Sequence, residues 1–330
     1  SLLLSCKTTT DRISISRNYI KAGYTLARTV QTALDRWGDK ISDTEGVYPD
    51  DNIAEHSNDI QLIWRFARLN VNYVWDRYIK KRTKRKWSIA YNKRDKSNET
   101  LINILQPKQY TEFSPGLNGV IADPSIFQHN GITAIFYEFI PNSSRKGEIY
   151  ATILNESGTS LETRQILEKE YHLAYPHVFK SDGKIYLIPD SGHNNSVELY
   201  SCLEFPFKWE HVNTLISGIK AVDSTTWFHE GKWWIFCNVV DQVGLSSFDH
   251  LHIYYSEELE SDQWTPHRMN PVKSDASNSR PAGSIFKWND KNYRPSQNSS
   301  YYYGYGLNLN EILVLNTEEF IEKKIGGFEP

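Results

Sequence analysis

Three segments of the chain align without gaps: ADPSIFQHNGITAIFYE at 122–138, AYPHVFKSDGKIYLIPD at 174–190 and VDSTTWFHEGKWWIFCN at 222–238. Each reads as a strand, a short turn region ending on Gly131, Gly183 or Gly231, and a second strand. A fourth copy, RPAGSIFKWNDKNYRPSQ at 280–297, keeps the aromatic Phe286 and sets Asp290 at the turn. A unit that recurs about every 50 residues cannot bury its own apolar face, so neighbouring copies must stack. Four-stranded units at this spacing stack as the blades of a β-propeller.

The strands left over predict how the ring closes. Tyr301 to Ile325 can supply outer strands of the fourth blade and part of a closing blade. Trp87 to Tyr91 and Leu101 to Leu105 offer N-terminal strands for that closing blade. Strands from both ends would then remove the exposed sheet edges. The predicted fold is all-β: a five-bladed β-propeller over 87–330 with an α-helical N-terminal extension over 1–86.

That extension has a different texture. Ile20 to Trp37 and Asp59 to Tyr78 carry apolar residues at helical spacing, separated by a polar loop from Gly38 to Ser57. A basic run follows: Arg77, Lys80, Lys81, Arg82, Lys84, Arg85 and Lys86. It can be a patch for anionic lipid headgroups or a phosphate. It can equally be a solvated helix end whose cations suit the C-terminal dipole, and the rest of the chain, which is not basic, favours this second reading. The sequence opens on Ser1 and its only methionine is Met269, so it reads as a piece of a longer protein.

Composition narrows the partners. Net charge is −3, without the basic excess a nucleic-acid binder shows. No apolar run approaches the ~20 residues of a membrane-spanning helix, and SLLLSCK is a poor signal peptide. Cys6, Cys202 and Cys237 are far apart and odd in number, which fits free thiols in a reducing, cytoplasmic setting. No metal-ligand spacing or cofactor motif is read, His250 and His252 included.

The repeat also places the polar residues. The first strand of each copy begins with Asp123, Tyr175 or Asp223. In the fourth copy Arg280 lies two residues farther from the shared aromatic, an even offset that keeps it on the same strand face. The second strand ends with Glu138, Asp190, Asn238 or Gln297. The two strands are antiparallel, so both sets should line one mouth of the ring, with His172, Tyr175, His177, Arg294 and Tyr305 nearby. An Asp at a strand start can simply cap a turn. A set whose chemistry differs from blade to blade points instead to a pocket. Asp123, Asp223, Asp190 and Glu138 are the candidate catalytic carboxylates. Arg280, Arg294, Gln297, His172, Tyr175, His177, Asn238 and Tyr305 are the candidate substrate contacts.

ADPSIF, YHLAYPHVF, VELYSCLEFPFKWE, AVDSTTWFHEGKWWIF, SRPAGSIF and YRPSQNSSYYYGYGLNLNEI together resemble the N-terminal domain of the plant glucosamine inositolphosphorylceramide transferases. They are equally similar to its bacterial relatives, which accompany polysaccharide-assembly enzymes. The likeness spans about residues 87–325. In the plant proteins a glycosyltransferase domain follows; in some bacterial relatives a formyltransferase-like domain precedes, and residues 1–86 can be its tail. More distantly, ADPSIF is similar to the first blade of five-bladed arabinanases and xylosidases. That resemblance implies a general-base role for Asp123. The Glu that serves as acid in that group is matched by Ala174, which puts ordinary hydrolysis in doubt.

Two functions follow as expectations. One is a carbohydrate-active enzyme of glycan assembly, a glycosyltransferase or an unusual glycosidase, acting on a sugar, nucleotide sugar or glycan. In it Asp123 or Asp223 is the base, while Arg280 and Arg294 hold a phosphate or acidic sugar. The other is a non-catalytic glycan-binding module, with Trp227, Tyr301 and Tyr305 stacking on sugar faces. A docking scaffold with a vestigial funnel is the remaining alternative. Separated carboxyl pKa values would mark the enzyme.

Overall fold

The structure is a computed structural model, and it describes residues 87–92, 101, 110–240, 245–300 and 302–329. The expected helices, the basic run 80–86 and any tail of an upstream domain lie outside the described residues.

Among the described residues, nineteen strands follow in order. β1 (Ile89–Tyr91) and β2 (Thr111–Phe113) form a two-stranded ladder. The first blade is β3 (Gly119–His129), β4 (Ile132–Pro141), β5 (Glu148–Leu154) and β6 (Ser160–Leu167). The second is β7 (Ala174–Ser181), β8 (Lys184–Asp190), β9 (Ser196–Glu204) and β10 (Lys208–Ser217). The third is β11 (Ala221–His229), β12 (Lys232–Val239) and β13 (His250–Ser256), whose outer edge pairs with the short β14 (Thr265–Pro266) and β15 (Lys273–Ser274). The fourth is β16 (Phe286–Trp288), β17 (Lys291–Asn298), β18 (Gly306–Leu315) and β19 (Phe320–Phe328). Every pairing is antiparallel.

The turns inside the repeat have a common cause. Asn130–Gly131, Asp182–Gly183, Glu230–Gly231 and Asn289–Asp290 all take two consecutive positive φ values, between 46° and 81°. This is the type I′ geometry, whose twist matches a tight hairpin. The residues flanking each turn pair directly: His129 with Ile132, Ser181 with Lys184, His229 with Lys232 and Trp288 with Lys291.

The core lies in the seams between blades. Phe136, Ile149 and Ala151 meet Val178, Leu187 and Tyr200 between the first and second blades. Ile188, Val197 and Leu199 meet Ala221, Ile235 and Cys237 at the next seam. Trp234, Phe236 and Ile253 meet Ile285, Ile312 and Phe320 at the third. Trp227, expected to be a stacking aromatic, packs into this last seam.

The expected count of five blades is corrected to four. The strands from residue 301 on, Gly306–Leu315 and Phe320–Phe328, belong to the fourth blade, because β17 pairs with β18 and β18 with β19, so the described residues there leave no strand for a closing blade. Among the described residues, only the β1–β2 ladder stands beside the four blades. Its Ile89 and Phe113 pack on Ile121, Ile135 and Tyr137 of the first blade. On its other side Trp87 lies 5.3 Å, ring to ring, from Tyr303 in the β17–β18 loop.

Arg294, expected in the funnel, instead stitches the fourth blade together. It donates to both carboxylate oxygens of Glu322, at 2.8 and 2.7 Å, and to the carbonyls of Asn278 and Ser279. Lys273 adds a third charge at 2.5 Å from Glu322. Burial alone would raise the Glu322 carboxyl, but Arg294 and Lys273 hold it down to about 2. Removing one member leaves buried charge uncompensated, so Glu322→Gln should cost about 3 kcal/mol at pH 7. The native carboxylate stabilises above its unfolded value of 4.5 and ceases to as pH falls through 2. Urea titrations of the two proteins should therefore diverge at pH 7 and converge near pH 2; equal midpoints at pH 7 would contradict this role.

Candidate functional site

In each of the first three blades the ladder between the first two strands slips at the same place. The slip falls between Ala122 and Ser125, between Ala174 and His177, and between Val222 and Thr225. The extra residue follows Ala122, Ala174 or Val222 and sits in the left-handed region: Asp123 at φ 51°, Tyr175 at 42° and Asp223 at 55°. For a residue with a Cβ this costs about 1–2 kcal/mol, so each is a strained β-bulge. The bulge sets these side chains beside the end of the second strand, where Ala122 faces Glu138, Ala174 faces Asp190 and Val222 faces Asn238. In the fourth blade the Gln297 amide donates to the Arg280 carbonyl at 2.8 Å, which repeats the pairing without a strand.

Arg280 and Asp223 form the ionic centre. Arg280 grips both carboxylate oxygens, Nε at 2.5 Å and Nη2 at 3.1 Å, and Gln297 Nε2 donates to the same carboxylate at 3.1 Å. Arg280 Nη1 reaches Ser247 Oγ at 3.2 Å. Its guanidinium lies 5.0 Å from the Phe248 ring centre and 5.4 Å from that of Tyr303. Burial pushes the Asp223 carboxyl up and the Arg280 charge opposes it.

The other carboxylates have different surroundings. Glu138 accepts from His172 Nε2 at 3.0 Å; the Gly147 amide donates to His172 Nδ1 at 2.8 Å and thereby fixes the tautomer. Glu138 raises the His172 pKa against the effect of burial. Asp190 accepts the Gly192 amide at 2.8 Å. A Cβ on Gly192 would come within 2.4 Å of the Ala221 carbonyl, so only glycine permits this close approach. Burial and the Asp223 charge raise the Asp190 carboxyl to about 6. Asp123 makes no hydrogen bond to any described residue. Burial, then the Asp223 and Glu138 charges, raise it to about 7 against the pull of Arg280.

Other expected contacts are engaged within the protein. Tyr175 is buried and latches three blades: its hydroxyl accepts the Gly283 amide at 2.7 Å and bonds Thr225 Oγ1 at 2.8 Å. His177 Nε2 accepts the Thr226 amide at 3.1 Å, and Ser284 lies on its other nitrogen. Burial lowers His177 to about 3, so it is neutral and fixed at physiological pH. Asn238 is fully buried and donates to the Ser247 carbonyl at 3.0 Å. Tyr305 points its hydroxyl to Glu329 on the outside, and Tyr301 lies outside the described residues.

One residue enters that sequence reasoning missed. Tyr303 lies against Arg280, and among neighbouring charges Asp123 acts most strongly on its hydroxyl, raising its pKa together with burial. The run YYYGY carries no periodic signal to say which tyrosine turns inward.

The site and fold define a class: a four-bladed propeller whose opening gathers four carboxylates around one ion-paired arginine. Residues 104–327 match the family described as glucosamine inositolphosphorylceramide transferase 1, N-terminal, and the chain belongs to that family. It is 31% identical over 205 residues to the glucosamine inositolphosphorylceramide transferase 1 of Oryza sativa subsp. japonica, covering 61% of this chain and 27% of that one. The Arabidopsis thaliana protein of the same name is 29% identical over 208 residues, covering 62% and 27%. The chain thus spans about a quarter of the length of these curated relatives. Among solved structures it is similar to Zg3597, a family 117 glycoside hydrolase of Zobellia galactanivorans, at TM-score 0.48 and 13% identity, covering 64% and 74% of the two chains. A Cellvibrio cellulosa α-L-arabinanase complexed with arabinohexaose gives 0.45 and 14%, covering 64% and 79%.

The raised Asp123 carboxyl has a consequence for stability. Its folded value of about 7 exceeds the unfolded 3.8, so ionising it costs stability, from nothing at pH 4 to the full amount above pH 7. Asn also tolerates the left-handed conformation. Asp123→Asn should therefore be more stable than the native protein at pH 8, by on the order of 1–3 kcal/mol, and equal at pH 4. Thermal melts at both pH values check this; a less stable variant at pH 8 would contradict the assignment.

Proposed function

We propose that this propeller is a carbohydrate-active unit of surface-polysaccharide or glycolipid assembly, with the opening around Asp123 as its reactive site. The observation that carries the reading is the division of labour among four neighbouring carboxylates. Asp223 is tied to Arg280, Glu138 to His172 and Asp190 to Gly192, while Asp123 has no hydrogen bond to a described residue and a pKa near neutrality. A base works best when its pKa lies near the working pH.

In this reading Asp123 accepts the proton of a sugar hydroxyl, or of water, as that oxygen attacks an anomeric carbon. The bond to the leaving oxygen breaks as the new one forms. Asp190, raised to about 6, is the neighbouring carboxyl that can return a proton to the leaving oxygen; because Asp123 is the weaker acid of the two, the step runs in the minor population in which Asp190 holds the proton and Asp123 does not. Tyr303, about two-fifths exposed, offers a ring for a sugar face.

A second reading keeps the ligand and drops the chemistry: a glycan-binding module that serves another enzyme. It is supported by Ala174, an apolar residue at the place where the distant hydrolases carry an acidic Glu. A cytoplasmic location is also proposed, on the odd number and wide spacing of Cys6, Cys202 and Cys237.

The deciding experiment incubates the native protein and Asp123→Asn with nucleotide sugars, sugar phosphates, and pyranose and furanose oligosaccharides. Product should appear with the native protein and fall by at least ~100-fold in the variant. Binding without product in both would favour the module, and neither binding nor product would remove the carbohydrate reading.

A further inference from the structure

We infer that Trp87 and Tyr303 form an aromatic platform for the sugar, and that the ring they take is a pyranose laid on its C–H face. The inference rests on the carbohydrate reading above and adds a binding surface to it. The β1–β2 ladder, which stands outside the four blades, becomes part of the site.

Apolar surface left open to water costs free energy, so large exposed rings grouped beside a polar opening mark a ligand surface. Trp87 is 41% exposed and Tyr303 39%. Their ring centres lie 5.3 Å apart at an interplanar angle of 39°. Tyr303 also lies 5.4 Å from the Phe248 ring centre, and both rings border the Arg280 guanidinium. A continuous line of π surface therefore leads from the Arg280–Asp223 pair out to Trp87. Tyr303 is the link: its hydroxyl feels the Asp123 charge, while part of the residue is open to water.

The backbone holds Trp87 there. Gly304 follows Tyr303 at φ 78°, and a Cβ on it would come within 3.0 Å of Trp87 Cη2. The indole thus lies close over a residue without a side chain. Two residues on, Ile89 is buried with Phe113 against Ile121 and Ile135 of the first blade. A ring fixed before the ligand arrives loses little freedom on binding.

The platform selects its ligand by shape. A pyranose chair presents several C–H bonds on one face and hydroxyls around its rim. The C–H face can cover an aromatic ring while the hydroxyls reach a few placed polar groups. Asp123 and Glu138, whose charges act on Tyr303, are the acceptors next to it. A furanose is smaller and puckered, and covers less of two neighbouring rings. Trp227 and Tyr305, the stacking residues expected from the sequence, are engaged elsewhere.

Calorimetric titration of the native chain, Trp87→Ala and Trp87→Phe tests the inference. The probes are methyl pyranosides, pyranose oligosaccharides and arabinofuranose oligosaccharides at pH 7. The tightest pyranose probe should weaken about tenfold in Trp87→Ala, and by about threefold or less in Trp87→Phe, which keeps an aromatic face. Nitrogen-15 NMR of the native chain supplies a readout that needs no variant to bind. The Trp87 indole N–H, assigned by its loss in Trp87→Phe, should shift as that probe is added, with the midpoint found by calorimetry. If a pyranose binds while both variants keep its affinity and the Trp87 signal stays still, the inference fails and the carbohydrate reading stands. Binding of furanose probes alone also overturns the inference. If no probe binds, both fail.

Discussion

The structure depends on a repeated distortion: one extra residue, held left-handed, at the start of the first strand of each of three blades. A regular ladder would pass Asp123, Tyr175 and Asp223 into strand pairing. The bulge takes them out of register and sets each beside the residue that ends the next strand. The cost of three non-glycine residues at positive φ is offset by the seams, where Phe136, Leu187, Ile235 and Phe236 are fully buried. Strain held by a well-packed frame is the pattern expected of a site.

Given that placement, electrostatics follows from which carboxylate takes the arginine. Among the described residues, the buried Arg280 acts on Asp123, Asp190 and Asp223. Arg280 settles on Asp223, from the neighbouring blade, and so joins the third blade to the start of the fourth. The carboxylates it does not touch must find amide or imidazole donors or rise in pKa. Glu138 finds His172 and Asp190 finds Gly192, while Asp123 has no hydrogen bond to a described residue and is raised to about 7. The arrangement is also rigid, because Tyr175 and His177 tie the second blade to the third and fourth through buried hydrogen bonds.

Much of this is legible in the residues. Asn-Gly and Asp-Gly pairs announce tight hairpins, and the gap-free repeat places both polar sets on one rim. What is not legible has identifiable causes. The blade count depends on which strands pair at the ends of the chain, and no local pattern says whether β18 and β19 close the fourth blade or begin another. Arg294 did carry a signal: it lies three residues before Gln297, an odd offset that puts it on the opposite face of β17. Tyr175 sits at the same repeat position as Asp123 and Asp223, and only packing shows that its longer side chain crosses to Gly283 rather than facing a ligand. Tyr303 lies in a loop, where period carries no information.

The central claim is that Asp123 is the carboxyl set apart from its neighbours. Carbon-13 NMR titration of the labelled aspartate carboxyls, with Asp123 assigned by its loss in Asp123→Asn, measures this directly. The account predicts a midpoint near 7 for Asp123. A midpoint near the ordinary 3.8 would mean that the opening is open to water and the carboxylates are not divided, and the account would be wrong.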